Sequence, residues 1–214
     1  MSLNPGLRGT SAAALIVALA LTYPFLVRAE VTRAGAAVGG APTIRIDNFG
    51  RVTEKYYRGA QPEGQDYADL AALGVKTVID LTSDDTDPNE RRMAEQAGMK
   101  YVQIPMTTHE PPTAAQLAEF LSLVNEPSSE PVYVHCVGGR HRTGVMTAAY
   151  RMTGQGWTAD QAFREMKTYN FGADFLHAEF KTFVYAFHPA VAREAVSSPV
   201  VTAVPISGPN AITQ

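Results

Sequence analysis

The chain has 214 residues, 45% hydrophobic and 18% charged, with a formal net charge of −3. This is globular composition, enough for one domain with extensions and a full core, and it excludes collagen-like and wholly disordered chains. The balance lacks the basic excess expected of a nucleic-acid binder, and the single cysteine excludes an internal disulfide.

The first element along the chain is an apolar run from Ala12 to Val27, between Arg8 and Arg28. At about sixteen residues it is short for a relaxed membrane span of roughly 20. It fits the apolar core of a secretory signal, and Val27-Arg28-Ala29 offers a cleavage site. Residues 1–29 are therefore expected to be a signal peptide or an uncleaved membrane anchor. The protein is then exported (periplasmic or extracytoplasmic) or tied to a membrane by this segment. Residues 30–43 are Gly/Ala-rich and read as a flexible linker. The domain proper is expected over 44–196. Residues 197–214 carry Pro199, Pro205 and Pro209 with almost no charge, and read as a disordered tail.

Within the domain, strands and helices alternate. Tyr56-Tyr57-Arg58 is short and extended. Gln65 to Leu73 reads as a helix stopped by Gly74, and Val75 to Leu81 as a continuous apolar strand. Asp87-Pro88-Asn89-Glu90 carries a cap, a first-turn proline and a glutamate three residues on, opening a helix that ends at Gly98. Tyr101 to Ile104 is the next strand. Thr113 and Gln116 form a capping box ahead of Leu117, Phe120, Leu121 and Val124 on one helical face. Val132 to His135 is a short strand. Val145 to Met152 is a helix apolar nearly all round, hence central. Thr158 to Tyr169 and Glu179 to Ala195 read as closing helices. Trp157, Phe163, Met166, Phe180, Phe183 and Tyr185 are expected to pack. The alternation predicts an α/β fold: a central, mostly parallel sheet of four to five strands with helices on both faces.

In such a sheet the ligand site lies beyond the carboxyl ends of the strands. There the chain reads His135-Cys136-Val137-Gly138-Gly139-Arg140-His141-Arg142-Thr143-Gly144. The backbone N–H groups of Val137, Gly138, Gly139, Arg140, His141 and Arg142 can curl round phosphate oxygens, and the two glycines permit the tight turn. The following helix presents its positive end, and the Arg142 fork can clamp two oxygens. The same cradle lowers a thiol pKa, so Cys136 can attack phosphorus as a thiolate. A lone cysteine is commonly just a small buried hydrophobe, and an arginine six positions on is not rare. The preceding strand, the glycine pair and Thr143-Gly144 opening a buried helix raise the pattern above that.

The whole stretch resembles the phosphate-binding loop of the protein tyrosine phosphatase superfamily, in its compact dual-specificity branch. Tyr57-Arg58-Gly59-Ala60-Gln61-Pro62, Val78-Ile79-Asp80-Leu81 and Ile104-Pro105-Met106 follow in the order of comparable segments there. The resemblance implies that Cys136 is the nucleophile and Arg142 the phosphate clamp. It implies that Thr143 aims its hydroxyl at the sulfur, and that His135 holds the cysteine and tunes its pKa. It also implies hydrolysis of phosphate monoesters through a cysteinyl-phosphate, with a phosphorylated protein or a phosphoinositide or inositol phosphate as substrate. No metal and no cofactor enter that chemistry. Arg140 and His141 widen the positive rim.

One position departs from the family pattern. The family carries an aspartate on a separate loop as general acid. Here the comparable loop is Thr107-Thr108-His109-Glu110-Pro111-Pro112, and Thr108 stands at that position. A threonine is no proton donor near neutral pH. Glu110 is the first substitute, followed by Asp84 or Asp85 and then His109. Asp87 reads as a helix cap. Two other readings remain open on the sequence: a non-catalytic phosphate-binding module, suggested by the missing aspartate, and a sulfurtransferase, which also uses a cysteine in a loop before a helix.

Overall fold

The computed structural model describes residues 43–83, 86–190 and 192. The expected leader at 1–29, nearly all of the 30–43 linker and the 197–214 tail lie outside the described residues, as do Asp84 and Asp85. Among the described residues no helix is long and apolar enough to cross a membrane.

The centre of the fold is β3 (Thr77–Thr82), whose six residues are all buried. It lies between β4 (Lys100–Met106) and β5 (Val132–His135), parallel to both. β5 pairs on its other side with β2 (Tyr56–Gly59), again in parallel, and β2 pairs antiparallel with β1 (Gly50–Thr53) at the edge. The sheet order is β1-β2-β5-β3-β4. The mostly parallel α/β architecture is thus borne out. β1 was not anticipated; in four residues only Val52 is buried, which leaves no hydrophobic period to read.

Side chains alternate between the two faces of each strand. Val78 and Tyr133 point to one side and join Tyr67, Leu70, Ala94, Met99 and Tyr101. These come mainly from α1 (Asp66–Ala72) and α2 (Glu90–Gln96). Ile79, Leu81, Val132 and Val134 point to the other side, against a larger core with Leu117, Phe120, Val145, Met146 and Phe180. That side is covered by α3 (Ala114–Asn125), α4 (Arg142–Gln155), α5 (Ala159–Thr168) and α6 (Ala178–Ala186). Ten of α4's fourteen residues are buried, in keeping with its central position.

Local chemistry explains the helix ends. Thr113 and Thr158 each accept from the backbone N–H three residues on, and Gln116 and Gln161 return the bond, so α3 and α5 open on full capping boxes. Asp87 accepts from the Asn89 backbone at 2.8 Å and so turns the chain just ahead of α2, two residues before the observed N-cap Asn89. The last helix is shorter than expected. α6 stops at Ala186, and helical backbone resumes at 189–190 only after a break at Phe187 and His188, because Pro189 disfavours helical backbone at His188 and cannot donate to the ladder. Phe163, Met166 and Phe180 are buried as expected. Tyr185 is half exposed, its hydroxyl donating to Asp160 at 2.8 Å, and so lies at the rim of the core. Trp157 packs under the Arg151 guanidinium, 4.3 Å from its ring centre.

Candidate active site

β5 delivers Cys136 between the ends of its two parallel neighbours, with His135 in register with Gly59 on one side and Asp80 on the other. The chain then turns through Val137 to His141 and enters α4 at Arg142. Three successive carbonyls of this loop are tied outward. The Gln61 backbone N–H donates to Val137 O at 3.1 Å, Asn48 Nδ2 to Gly138 O at 2.7 Å, and Arg58 Nη2 to Gly139 O at 2.7 Å. In a trans peptide the C=O and the next N–H point opposite ways. The N–H groups of Gly138, Gly139 and Arg140 therefore face the inside of the loop, where an anion would sit. Gly139 is required for this approach. Its φ is +64°, and a Cβ there would lie 2.4 Å from the Gly59 carbonyl carbon.

Cys136 is 4% exposed, at the floor of the loop. Burial pushes its thiol up, but the hydroxyl and backbone N–H of Thr143, then the charges of Arg142 and His135, outweigh that and hold it below its ordinary value. The positive end of α4 lies beside it. Arg142 is 2% exposed, and its Nη1 donates to Met106 O at 3.0 Å. The same carbonyl accepts from Ser83 Oγ at 2.9 Å, so the exits of β3 and β4 and the clamp arginine share one acceptor.

Behind the loop is a buried pair that sequence reasoning missed. His135 and Glu90 are both fully buried, with Nε2 2.7 Å from Oε1. Burial alone would lower His135; Glu90, then Asp80 and Cys136, hold it above its ordinary value. His135 and Cys136 are adjacent on one strand and so face opposite sides. His135 stacks on Tyr133, with ring centres 5.8 Å apart, while Cys136 belongs to the α4 side. The imidazole thus acts on the thiol through its charge. Asp80 accepts from Thr82 and from Tyr101, both at 2.7 Å, which fixes the end of β3.

Arg58 and Asn48 were also missed as site residues. Arg58 is fully buried, and its guanidinium lies 3.9 Å from the Tyr169 ring centre. Asn48 has a left-handed φ of 53° and accepts from Asn170 Nδ2 at 2.7 Å. His141 Nε2 pairs with Phe171 O at 2.9 Å. Three consecutive residues after α5 thus brace the phosphate-loop surroundings. The available sequence signal was Arg58 itself, a charged residue on the short strand Tyr56-Tyr57-Arg58-Gly59.

The other expected site residues fall as follows. Val137 is 44% exposed at the lip of the loop, and Arg140 is exposed, its side chain running past Gly138. The loop that carries the acid candidates starts next to Met106, one residue from the Arg142 contact. Among the described residues, Glu110 accepts from Thr107 Oγ1 at 3.3 Å and lines a hollow with Pro105, Pro111, Thr113 and Gln116. His109 instead turns toward His177, whose ring packs 3.7 Å from that of His141.

A thiolate beneath inward-facing amides, next to an arginine and at a helix N-terminus, is built for nucleophilic attack on a phosphate ester. Residues 45–183 match a protein family described as "DSP-PTPase phosphatase fused to NAD+ Kinase". The chain belongs to this family of cysteine phosphatases. It is 34% identical over 125 residues to the dual specificity protein phosphatase TpbA of Pseudomonas aeruginosa, covering 58% of this chain and 56% of that one. Over 133 residues it is 26% identical to the inositol diphosphatase SIW14 of Saccharomyces cerevisiae, covering 60% and 47%. The chain thus spans about half the length of these two curated relatives. The crystal structure of P. aeruginosa TpbA superimposes with a TM-score of 0.61 at 29% identity, over 71% of this chain and 92% of that one. The core catalytic domain of SIW14 superimposes with a TM-score of 0.62 at 24% identity, over the same shares, and supports the fold.

Proposed function

We propose that this chain hydrolyses phosphate monoesters through a cysteinyl-phosphate on Cys136. The observation that carries the reading is the buried thiol held below its ordinary value by Thr143 and Arg142 under a ring of inward-facing amides. The Cys136 thiolate attacks phosphorus, forming the S–P bond as the P–O bond to the leaving group breaks. Arg142 and the loop amides take up charge on the three equatorial oxygens. The leaving oxygen takes a proton from the Glu110 carboxylic acid in this reading, once that side chain swings off Thr107. Water then attacks phosphorus and gives its proton to the Glu110 carboxylate, the S–P bond breaks, and Thr143 stabilises the departing thiolate. Inorganic phosphate leaves.

The relatives suggest the substrates to try first. One TpbA structure is a complex with phosphotyrosine, and SIW14 is described as a PP-IP phosphatase. Phosphotyrosine proteins and inositol phosphates are thus the proposed classes. Purified protein assayed on p-nitrophenyl phosphate, a phosphotyrosine peptide, an inositol pyrophosphate and thiosulfate tests the reading. Turnover of a phosphate ester that Cys136→Ser abolishes, with vanadate or phosphate binding retained, is the expected result. Anion binding without turnover would make the chain a phosphate-binding module, and thiosulfate turnover would make it a sulfurtransferase. For location, the Ala12–Val27 run supports export or membrane anchoring. N-terminal sequencing of fractionated protein tests this; a soluble cytoplasmic chain retaining Met1 would overturn it.

A further inference from the structure

His109 lies on the loop between β4 and α3, His177 at the N-cap of α6, and Glu179 in the first turn of α6. One donor atom from each lies within 4.8 Å of the other two. His177 Nδ1 is 3.3 Å from Glu179 Oε1. In a tetrahedral zinc site with bonds of about 2.0–2.1 Å, donor atoms sit about 3.3 Å apart. Two of the three donors are therefore already at ligand spacing, and the third, on an exposed side chain, needs a shift of at most about 1.5 Å. The His109 and His177 rings lie nearly parallel, 18° apart with centres at 6.1 Å. This geometry joins two distant parts of the chain, which a helix-start hydrogen bond between His177 and Glu179 does not explain.

The donor set is two imidazoles and one carboxylate, which suits zinc and similar late divalent metals. The other side of His177 is closed by His141, with ring centres 3.7 Å apart. Asp80, Glu90 and His135 form a second cluster of compatible type. There the Asp80 oxygens are already taken by Thr82 and Tyr101, and Glu90 is paired with His135.

We propose that His109, His177 and Glu179 form a zinc-type cation site on the rim of the Cys136 loop, and that the bound ion pins residues 107–112 to the start of α6. The pinned segment includes Glu110, so occupancy sets how far that loop can reach over the site. The ion takes no part in the Cys136 chemistry, and the site stands whether or not the chain is a catalyst.

The test uses the tag-free full chain carrying Cys136→Ser, which removes the thiolate as a competing ligand. Calorimetric titration with zinc chloride should show one ion per chain. Binding should weaken at least tenfold in His177→Ala and in Glu179→Gln, and persist in His135→Gln. Each variant is checked for folding by its metal-free melting curve, and Glu179→Gln, a near-isosteric change at the surface, keeps the test open if His177→Ala misfolds. Hydrogen exchange at residues 107–112 should slow on adding zinc to the parent and not to the two weakened variants. No binding at micromolar zinc, or binding unchanged by Glu179→Gln, would overturn the site. Binding without slowed exchange would overturn the pinning.

Discussion

Two substitutions near Cys136 separate hydrogen bonding from charge as the source of its low pKa. Thr143→Ala removes a hydroxyl donor to the thiolate. A hydrogen bond to a charged group is worth about 1.5–3 kcal/mol, or about 1–2 pKa units. Glu90→Gln acts differently. Without its carboxylate, buried His135 keeps only Asp80 and Cys136 against the burial that lowers it, and we expect it to give up its proton. The thiolate then loses a positive charge on the imidazole and also a negative charge 2.7 Å beyond it. The pair is a dipole, and only the difference of its two ends counts. With the imidazole about 7 Å from sulfur, across the strand, and an effective dielectric of about 20, that difference is about 0.7 kcal/mol, roughly half a unit. The assay is the pH dependence of kcat/KM on an aryl phosphate, paired with the pH dependence of iodoacetamide alkylation. Both acid limbs should move to higher pH, by about 1–2 units in Thr143→Ala and about half a unit in Glu90→Gln. A Glu90→Gln shift equal to or larger than that of Thr143→Ala would refute the reasoning and make charge behind the strand the main control.

Gly139→Ala should lower the melting temperature and most of the activity together, because a Cβ at φ +64° meets Gly59 and the strain costs about 1–3 kcal/mol. Calorimetry and the aryl phosphate assay read the two effects. The His135 pKa is raised in the fold, so the stability its protonation contributes is fully present below its ordinary value and fades as pH rises through the raised one. In the Cys136→Ser background, urea midpoints should therefore decline across that window, and the decline should be smaller in Glu90→Gln. Glu110→Gln should slow alkyl phosphates strongly and nitrophenyl phosphate little, because only alkoxides need a proton to leave. An unchanged ratio of the two rates would move the acid to another residue.

Much of the fold was legible because its signals are local. Gly74 has a φ of +87° after α1, and Thr113 closes a real capping box. The buried strands β3 and β5 read as apolar runs, since a parallel sheet covered on both faces permits no alternation. The nucleophile loop was legible for the same reason: cysteine, glycines, arginine and threonine are contiguous. What was hidden depends on distance along the chain. Glu90 read as part of a helix start, and nothing in Asn89-Glu90-Arg91 says that a buried imidazole waits across the sheet. Asn48 and Asn170 sit in turns with left-handed φ values and were not singled out in the sequence. Their second role, a relay onto Gly138 O, exists only when both turns meet at the loop.

The division between the visible and the hidden residues follows the physics of the loop. Chemistry on phosphate places the nucleophile, the clamp and the hydroxyl that steadies the departing thiolate within one short turn, because each must touch the sulfur or the phosphate bound to it. Holding the amides inward is a separate task. It requires hydrogen-bond donors for Val137 O, Gly138 O and Gly139 O, and no residue inside the loop can reach outward to supply them. Arg58, Gln61 and Asn48 do so from β2, the segment just after it and the turn before β1, the part of the chain that sheet order places beside β5. The edge hairpin, of which sequence patterning read only the second strand, is therefore part of the frame that keeps the phosphate cradle open. A substitution there, such as Asn48→Ala, acts on anion affinity without touching the anion.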